Sequence, residues 1–220
     1  MGADEPCPSG DYGSHAPYRT APVFVTFEGL DGSGKTTQAE LLAESLRAEG
    51  REVVLTREPG GTPLGEEVRR LLLEGVELSP WAEAALFSAA RAELVERVIA
   101  PALEAGKDVV CDRYVDSSLA YQGFARGLGI DEVYDLNRVV TRGLLPDIAF
   151  VLEVDAGVSA ERVGGNPDRI EREGPDFHQR VLDGYRQVAA RFPGRVVLLD
   201  GTRTPDELHD EIRGRLRELS

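Results

Sequence analysis

The residues best suited to chemistry lie in one short glycine-rich stretch, FEGLDGSGKTTQ, from Phe27 to Gln38. Within it, Gly29, Gly34, Lys35 and Thr36 match G-x-x-x-x-G-K-T, the signature of a phosphate-binding P-loop. Glycine permits the positive φ angles that turn successive backbone N–H groups towards an anion, and the helix that follows adds its own unpaired N–H groups. Lys35 brings a compact positive charge to the outer phosphates, and the Thr36 hydroxyl is a hard oxygen ligand suited to Mg²⁺. The stretch predicts a site for a nucleoside triphosphate with Mg²⁺, contacted by Gly29, Leu30, Asp31, Gly32, Ser33, Gly34, Lys35, Thr36 and Thr37.

The sequence on either side of the loop supports this interpretation. Residues 22–27 are β-branched and aromatic, which predicts a buried strand, and residues 39–48 carry an apolar stripe at helical spacing. Strand, loop and helix is the context in which a P-loop occurs; the alternative is a glycine-rich turn without function. The rival dinucleotide-binding pattern G-x-G-x-x-G fails, because Thr37 stands where its last glycine would be.

Composition limits the classes of protein to consider. The chain has 220 residues and a formal net charge of −14, which argues against a nucleic-acid-coating or membrane-surface protein. Two cysteines, Cys7 and Cys111, are too few for a disulfide framework, so we expect a cytoplasmic protein. No apolar run approaches the length needed to span a membrane. Residues 1–20 are predicted to be a disordered leader, and residues 21–220 a single domain.

Apolar runs and turn signals predict alternating strands and helices. Strands are expected at 22–27, 52–56, 108–111, 147–154 and 195–199, and helices after the P-loop and at 64–73, 81–103, 117–124, 131–142 and 176–192. Ser79 is predicted to cap the helix that begins at Pro80, and Pro101 to bend it. Thr204 and Glu207 form a capping box at the start of the last helix. Residues 161–169 are charged and broken by Gly and Pro, which is typical of a mobile lid, placed at about 162–173. The alternation predicts an α/β, three-layer P-loop NTPase fold: a parallel sheet of about five strands with helices on both faces.

Charged side chains follow several of these strands. Because ligands bind at the carboxyl ends of parallel strands, the P-loop, Arg57, Asp112 and Arg113 are expected on one rim. Arg57, Arg91 and Arg113 would surround a second anion near the γ-phosphate, since the guanidinium fork binds two oxygens at once. Asp112 would orient Mg²⁺ or its waters; the alternative is a local ion pair between Asp112 and Arg113.

Two residues on the predicted helix 81–103 could bind a flat ring. Phe87 and Arg91 are four positions apart and share a helix face, so together they could hold a heterocycle. The alternative is that Phe87 packs in the core and Arg91 pairs with a carboxylate.

If the acceptor is itself a phosphate monoester, it is already nucleophilic and needs no general base. His178 and His209 are therefore interpreted as solvated or structural.

The motifs FEGLDGSGKTT, TREPGGT, FSAAR, DRYVDSSLAYQG, PDIAFVLEVD and DRIERE stand in the order and spacing of one enzyme family. Over about residues 22–215, the chain resembles the thymidylate kinases, P-loop nucleoside monophosphate kinases that convert dTMP and ATP to dTDP and ADP. The resemblance implies in-line transfer in which Lys35, Mg²⁺ and a lid arginine stabilise charge. It also implies a homodimer.

The resemblance assigns roles at the motif positions. Asp31 would accept a hydrogen bond from the deoxyribose 3′-hydroxyl, and Arg57 and Arg113 would hold the dTMP phosphate. Phe87 would stack on thymine and Arg91 would donate to a base carbonyl. The remaining assignments are Ser118 and Gln122 at the base edge or near the phosphate, Tyr121 where a ribose 2′-hydroxyl would lie, Arg162 over adenine, and Arg169 reaching the ATP phosphates from the lid.

One departure from the pattern bears on catalysis. Some family members carry an arginine directly after the P-loop aspartate, where this chain has Gly32. The catalytic arginine must then come from the lid, for which Arg169 is the candidate and Arg162 and Arg172 are the alternatives.

Other classes of nucleotide-binding protein fit the sequence less well. A P-loop GTPase would need N-K-x-D, which the nearest segment, 136–138, lacks. A non-catalytic nucleotide-binding module would not need Lys35, Thr36, Asp112 and Arg113 all to be intact. A kinase for another nucleoside monophosphate is a further alternative, against which Phe87, Arg91 and Tyr121 argue.

Overall fold

Five parallel strands build one sheet in the computed structural model, which describes residues 21–74, 77–163 and 168–219. The predicted leader lies outside the described residues, as does part of the predicted lid. The strand order is β2-β3-β1-β4-β5. The strands are β1, Phe24–Gly29; β2, Val53–Arg57; β3, Asp108–Asp112; β4, Ile148–Glu153; and β5, Val196–Asp200.

Helices connect the strands within the described ranges. The α-helices are α1, Lys35–Ala48; α2, Pro63–Glu74; α3, Pro80–Leu94; α4, Ala100–Glu104; α5, Val115–Ser118; α6, Ile130–Val140; α7, Ala156–Val163; α8, Pro175–Arg191; and α9, Pro205–Glu218. Two π-helical segments, Val95–Ile99 and Leu119–Ala125, join α3 to α4 and extend α5.

The helices cover both faces of the sheet. On one face, α1 and α9 pack against side chains such as Phe27 and Phe150. On the other, α3, α6 and α8 pack around side chains such as Phe24 and Val151. Strands in such a sheet are buried on both faces, which is why their sequences are nearly continuous apolar runs. The predicted three-layer α/β architecture is confirmed. No helix in the described ranges is long and apolar enough to cross a membrane.

Strand pairing brings the predicted functional residues to one edge. Phe27 of β1 and Arg57 of β2 both pair with Asp112 of β3, and Gly29 pairs with Leu152 of β4. The end of β1, from which the P-loop leaves, is therefore level with Arg57 and Asp112.

The long helix predicted at 81–103 is interrupted before Pro101 rather than at it. Residues Val95–Ile99 widen into a π-helical turn, and α4 then begins at Ala100. Proline lacks an N–H and its ring crowds the carbonyl four residues earlier, so the irregularity falls in the preceding turn. The helix predicted at 117–124 is likewise mostly π-helical.

Two further local predictions need correction. Residues 161–163 were expected in a loop, but they form the last turn of α7. The missed signal is Asp155, whose Oδ1 accepts a hydrogen bond from Gly157 N at 2.8 Å and satisfies a free N–H at the helix start. Ser79 occupies the cap position of α3, but its side chain makes no capping hydrogen bond. The capping box of Thr204 and Glu207 is present as predicted.

Candidate active site

The P-loop adopts a backbone that requires glycine. Gly29 has φ +136°, and a Cβ there would lie 2.6 Å from the carbonyl oxygen of Leu152. Gly34 has φ +94° and stands at the cap of α1, and no side-chain capping hydrogen bond is made there among the described residues. These N–H groups and the positive end of the helix dipole are left for an external anion.

One carboxylate joins the two cations nearest the loop. Asp31 Oδ1 lies 2.8 Å from Lys35 Nζ and 2.8 Å from Arg113 Nη2. Burial would raise the pKa of Asp31, but the Arg113 guanidinium and the Lys35 ammonium together hold that pKa far below its usual value. Asp31 therefore stays ionised and acts as counter-ion to both cations.

Arg113 is held in place from several sides. It is a non-glycine residue with φ +72°, and its backbone N–H donates to Phe27 O at 2.8 Å. Its Nη1 lies 3.2 Å from Ser117 Oγ and 3.3 Å from Tyr185 Oη. A non-glycine residue with positive φ is uncommon and persists where its surroundings determine the conformation.

A buried carboxyl group lies behind Arg113. Glu28 Oε1 accepts from Tyr114 N at 3.0 Å, and Glu28 Oε2 accepts from Ser117 Oγ at 2.5 Å. Burial, with a smaller contribution from nearby Asp116, raises the pKa of Glu28 to about 8. Glu28 thus fixes the backbone just after Arg113 and one of the hydroxyls that Arg113 contacts.

Thr36 and Asp112 present adjacent hard oxygens at the start of α1. Thr36 Oγ1 donates to Asp112 Oδ2 at 2.5 Å. Asp112 Oδ1 is buried and has no hydrogen-bond partner among the described residues. Such an unsatisfied buried oxygen costs free energy unless a further group approaches it. A hydroxyl and an under-used carboxylate side by side fit a hard divalent cation.

Beside the loop lies a cleft of about 540 Å³, part of it open to solvent. It brings together most of the residues predicted for the acceptor nucleotide. Those lining it are Asp31, Phe87, Arg91, Arg113, Ser118, Tyr121 and Gln122. Tyr121 lies under Arg113, whose Cζ is 5.3 Å from the ring centroid.

Arg91 has all its donors engaged within the protein. Its Nε and Nη2 donate to Glu58 Oε2, its Nη2 also to the carbonyl of Tyr114, and its Nη1 to Ser118 Oγ and Asn137 Oδ1. A guanidinium has five N–H groups, so none remains for a ligand in this arrangement. The predicted contact of Arg91 with a base carbonyl would need one of these bonds to break.

Arg57 lies outside this cleft. It lines a second cavity with Thr36 and Asp112, and its Nη2 lies 3.1 Å from both carboxylate oxygens of Glu66. Arg57 and Arg113 therefore line different cavities here, although both lie at the same sheet edge.

The two lid arginines named from the sequence differ in position. Arg162 Nη1 lies 3.3 Å from the carbonyl oxygen of Gly32, so it reaches the P-loop. Arg169 Nη2 lies 2.7 Å from Glu83 Oε2, and Arg169 Nε donates to Leu72 O at 2.8 Å. In this conformation, Arg169 contacts α2 and α3 rather than the loop.

Sequence reasoning missed the carboxylates behind the site. Three glutamates, each at most 4% exposed, hold residues of the site. Glu58 holds Arg91, and Glu83 holds Gln122. Glu28 holds Arg113 indirectly, through Ser117. The available signal was a carboxylate in an apolar setting: Glu28 is the only charged residue of β1. Acidic side chains are rarely buried unless they are paired or hydrogen-bonded, so each deserved a predicted partner.

A P-loop at the end of a central parallel strand, a neighbouring cleft lined by Arg91 and Arg113, and the adjacent oxygens of Thr36 and Asp112 define a P-loop phosphotransferase. A sequence profile of the family described as thymidylate kinase matches residues 27–212. The chain belongs to the thymidylate kinase family.

Individual thymidylate kinases are similar to this chain over nearly their full lengths. A thymidylate kinase of Pelotomaculum thermopropionicum is 50% identical over 194 residues, covering 86% of this chain and 90% of the relative. One from Deinococcus radiodurans is 48% identical over 193 residues, covering 86% and 94%. The crystal structure of thymidylate kinase from Ehrlichia chaffeensis superimposes with a TM-score of 0.74 at 38% identity, covering 89% of this chain and 99% of that one.

Proposed function

We propose that this protein transfers the γ-phosphoryl group of ATP to dTMP, giving dTDP and ADP. Membership of the thymidylate kinase family carries the proposal. The local support is the cleft beside the P-loop, which is lined by both an aromatic side chain, Phe87, and a cation, Arg113.

The donor nucleotide would bind along the P-loop. Its phosphates would meet the N–H groups at the start of α1 and the ammonium of Lys35, which must then exchange Asp31 for a phosphate oxygen. Arg162, already at the loop backbone, is the proposed contact for the nucleotide beyond the phosphates.

The acceptor would lie in the cleft with its base against Phe87 and its phosphate at Arg113. Asp31 would accept from the 3′-hydroxyl, and the Tyr121 ring would occupy the space that a 2′-hydroxyl needs. The phosphate monoester supplies its own nucleophilic oxygen, so alignment and charge neutralisation are the work left to the protein. His178 and His209, on α8 and α9, are given no part in proton transfer.

Thr36 and Asp112 are the residues that would hold Mg²⁺. The partnerless Asp112 Oδ1 beside the Thr36 hydroxyl is the observation that fits it. No group of three or more His, Cys, Asp and Glu side chains in the described ranges could hold a metal, and Mg²⁺ ordinarily takes one or two protein ligands together with phosphates and water. When bound, the ion would neutralise charge on the transferring phosphoryl group.

We further propose a cytoplasmic homodimer that does not bind nucleic acid. The net charge of −14 would repel a polyanion. Leu64 and Leu71 are exposed on α2 and seven positions apart, and Trp81 is exposed on the adjoining α3, which supports an apolar contact between copies. Light scattering on the purified protein tests the dimer, and a monomer at micromolar concentration contradicts it.

Steady-state ADP formation with Mg²⁺, ATP and each of four acceptors tests the activity. We expect dTMP to be phosphorylated much faster than UMP, dCMP or AMP. Lys35→Met is the matched control, since it removes the ammonium and keeps a long side chain. Equal or faster turnover of UMP, dCMP or AMP would contradict the assignment, and binding of both nucleotides without dTDP would leave only a binding module.

A further inference from the structure

Glu83 is a buried carboxylate on α3 that does not line the cleft itself but contacts Gln122, a residue that does. It is 1% exposed, and its Oε1 accepts from Gln122 Nε2 at 2.9 Å. Arg126 Nη2 and Arg169 Nη2 lie 3.2 and 2.7 Å from its Oε2. Burial would raise the pKa of Glu83, but these hydrogen bonds, first that of Gln122, hold it below its usual value.

An ionised carboxylate can only accept hydrogen bonds, which decides how the Gln122 amide is turned. Its nitrogen must face Glu83, so its oxygen must face the other way. Gln122 lines the cleft together with Phe87 and Ser118, and Gln122 Oε1 has no hydrogen-bond partner in the part of the chain that the structure describes. The cleft is therefore offered an acceptor at this position rather than a donor.

Arg91 orients the neighbouring hydroxyl in the opposite sense. A guanidinium only donates, and Arg91 Nη1 donates to Ser118 Oγ at 2.9 Å. The Ser118 oxygen is thereby occupied, and its O–H hydrogen has no acceptor among the described side chains. Ser118 thus offers a donor to the cleft that it also lines.

We propose that Glu83 is a positioning residue for base specificity: by fixing the Gln122 amide, it makes the cleft accept a pyrimidine with a hydrogen on N3 and reject one without it. The proposal rests on the proposed function. Thymine and uracil carry an N3–H donor next to a carbonyl acceptor, which matches Gln122 Oε1 and the Ser118 hydroxyl. Cytosine carries an N3 acceptor next to an amino donor, so both protein groups would face a like partner and stay unpaired.

Glu83→Gln removes the constraint while keeping the size of the side chain. A glutamine there can donate to Gln122 Oε1, which lets the Gln122 amide turn its nitrogen to the base. We expect kcat/KM for dTMP to fall and the ratio of kcat/KM for dTMP to that for dCMP to shrink about tenfold or more. The ratio of dTMP to dUMP should not change, because both bases carry N3–H.

Arg126→Gln is the matched control. It removes a different partner of the same carboxylate and leaves the bond between Glu83 and Gln122 intact. It is expected to lower thermal stability without changing the ratio of dTMP to dCMP. Glu83→Asp, which still only accepts, should also keep most of the discrimination.

The outcomes separate this inference from the proposed function. A wild-type protein that does not phosphorylate dTMP overturns the function. A wild-type protein that does, with an unchanged ratio of dTMP to dCMP in folded Glu83→Gln, overturns only the role of Glu83. Wild-type protein alone gives a further test should Glu83→Gln not fold: 3-methyl-dTMP, which lacks the N3 hydrogen, should bind about tenfold or more weakly than dTMP, and equal binding overturns the inference.

Discussion

Arg91 and Glu58 form an ion pair in which two guanidinium nitrogens, Nε and Nη2, donate to the same carboxylate oxygen, Glu58 Oε2. The side chains are 1% and 3% exposed. The other oxygen, Glu58 Oε1, is buried without a partner among the described residues. The pair fixes the loop after β2 against α3, and it sets one wall of the cleft.

Arg91→Met is therefore expected to cost about 3–5 kcal/mol of unfolding free energy, because it strands a buried carboxylate. Urea denaturation at neutral pH measures the loss. Arg70→Met is the control, since its partner Glu67 lies 2.9 Å away but both side chains are more than half exposed, and such pairs contribute about 0–1 kcal/mol. Equal losses in the two variants would show that the buried pair does not stabilise the fold.

Glu28 should leave a signature in the pH dependence of stability. Its folded pKa of about 8 lies above the ordinary value of 4.5. Between pH 4.5 and pH 8, the Glu28 carboxyl group therefore holds a proton in the folded protein that it has lost in the unfolded protein. Its contribution is complete below pH 4.5 and is lost as the pH rises through 8. Between pH 5 and 8, we expect wild-type stability to fall relative to Glu28→Gln by on the order of a few kcal/mol.

Chemical denaturation across that pH range measures the difference. Glu67→Gln, on an exposed part of α2, is expected to keep the wild-type pH dependence. Parallel curves for wild type and Glu28→Gln would contradict the shifted ionisation.

The oxygens of Thr36 and Asp112 predict a measurable dependence on Mg²⁺. Activity should disappear on chelation and return when Mg²⁺ is added. In Asp112→Asn and in Thr36→Val, the Mg²⁺ concentration for half-maximal activity should rise about 10–100-fold, as it does when groups around a bound metal are altered. Asp200→Asn, an exposed carboxylate at the end of β5, should respond as wild type does. An unchanged Mg²⁺ requirement in Asp112→Asn would exclude the proposed site.

For the lid, we predict that Arg169→Ala lowers kcat by about 10³-fold or more with little change in KM for dTMP. To act on the phosphates, Arg169 must leave Glu83 and the carbonyl of Leu72. Arg162→Ala is the comparison and should chiefly raise KM for ATP. If Arg169→Ala turns over normally and Arg162→Ala does not, the catalytic role belongs to Arg162, which already lies at Gly32; if both survive, Arg172 is next to test.

A structural feature could be predicted from the sequence when neighbouring residues determine it, and could not when distant residues do. The P-loop, the five strands and the capping box at Thr204 follow from neighbouring residues, and each was predicted correctly. Convergence on the rim also followed, because parallel strands place their carboxyl ends on one edge. The partner of each charged side chain did not follow: Arg57 turns to Glu66 and Arg91 to Glu58. Such choices depend on tertiary packing, which residue type and spacing do not encode.

The common direction of the parallel strands decides where a tag or linker can be attached without covering the site. The chain enters β1 at Phe24, where Phe24 N donates to Asp147 Oδ2 and Val23 N to Asp108 Oδ1, both at the amino edge. At about 3.3 Å per residue, the six residues of β1 place that entry point about 20 Å from the P-loop. An affinity tag, dye or surface linker attached ahead of Ala21 therefore joins the domain on the side opposite the cleft. That attachment leaves the nucleotide-binding edge facing solution, which suits immobilised binding measurements on the unaltered site.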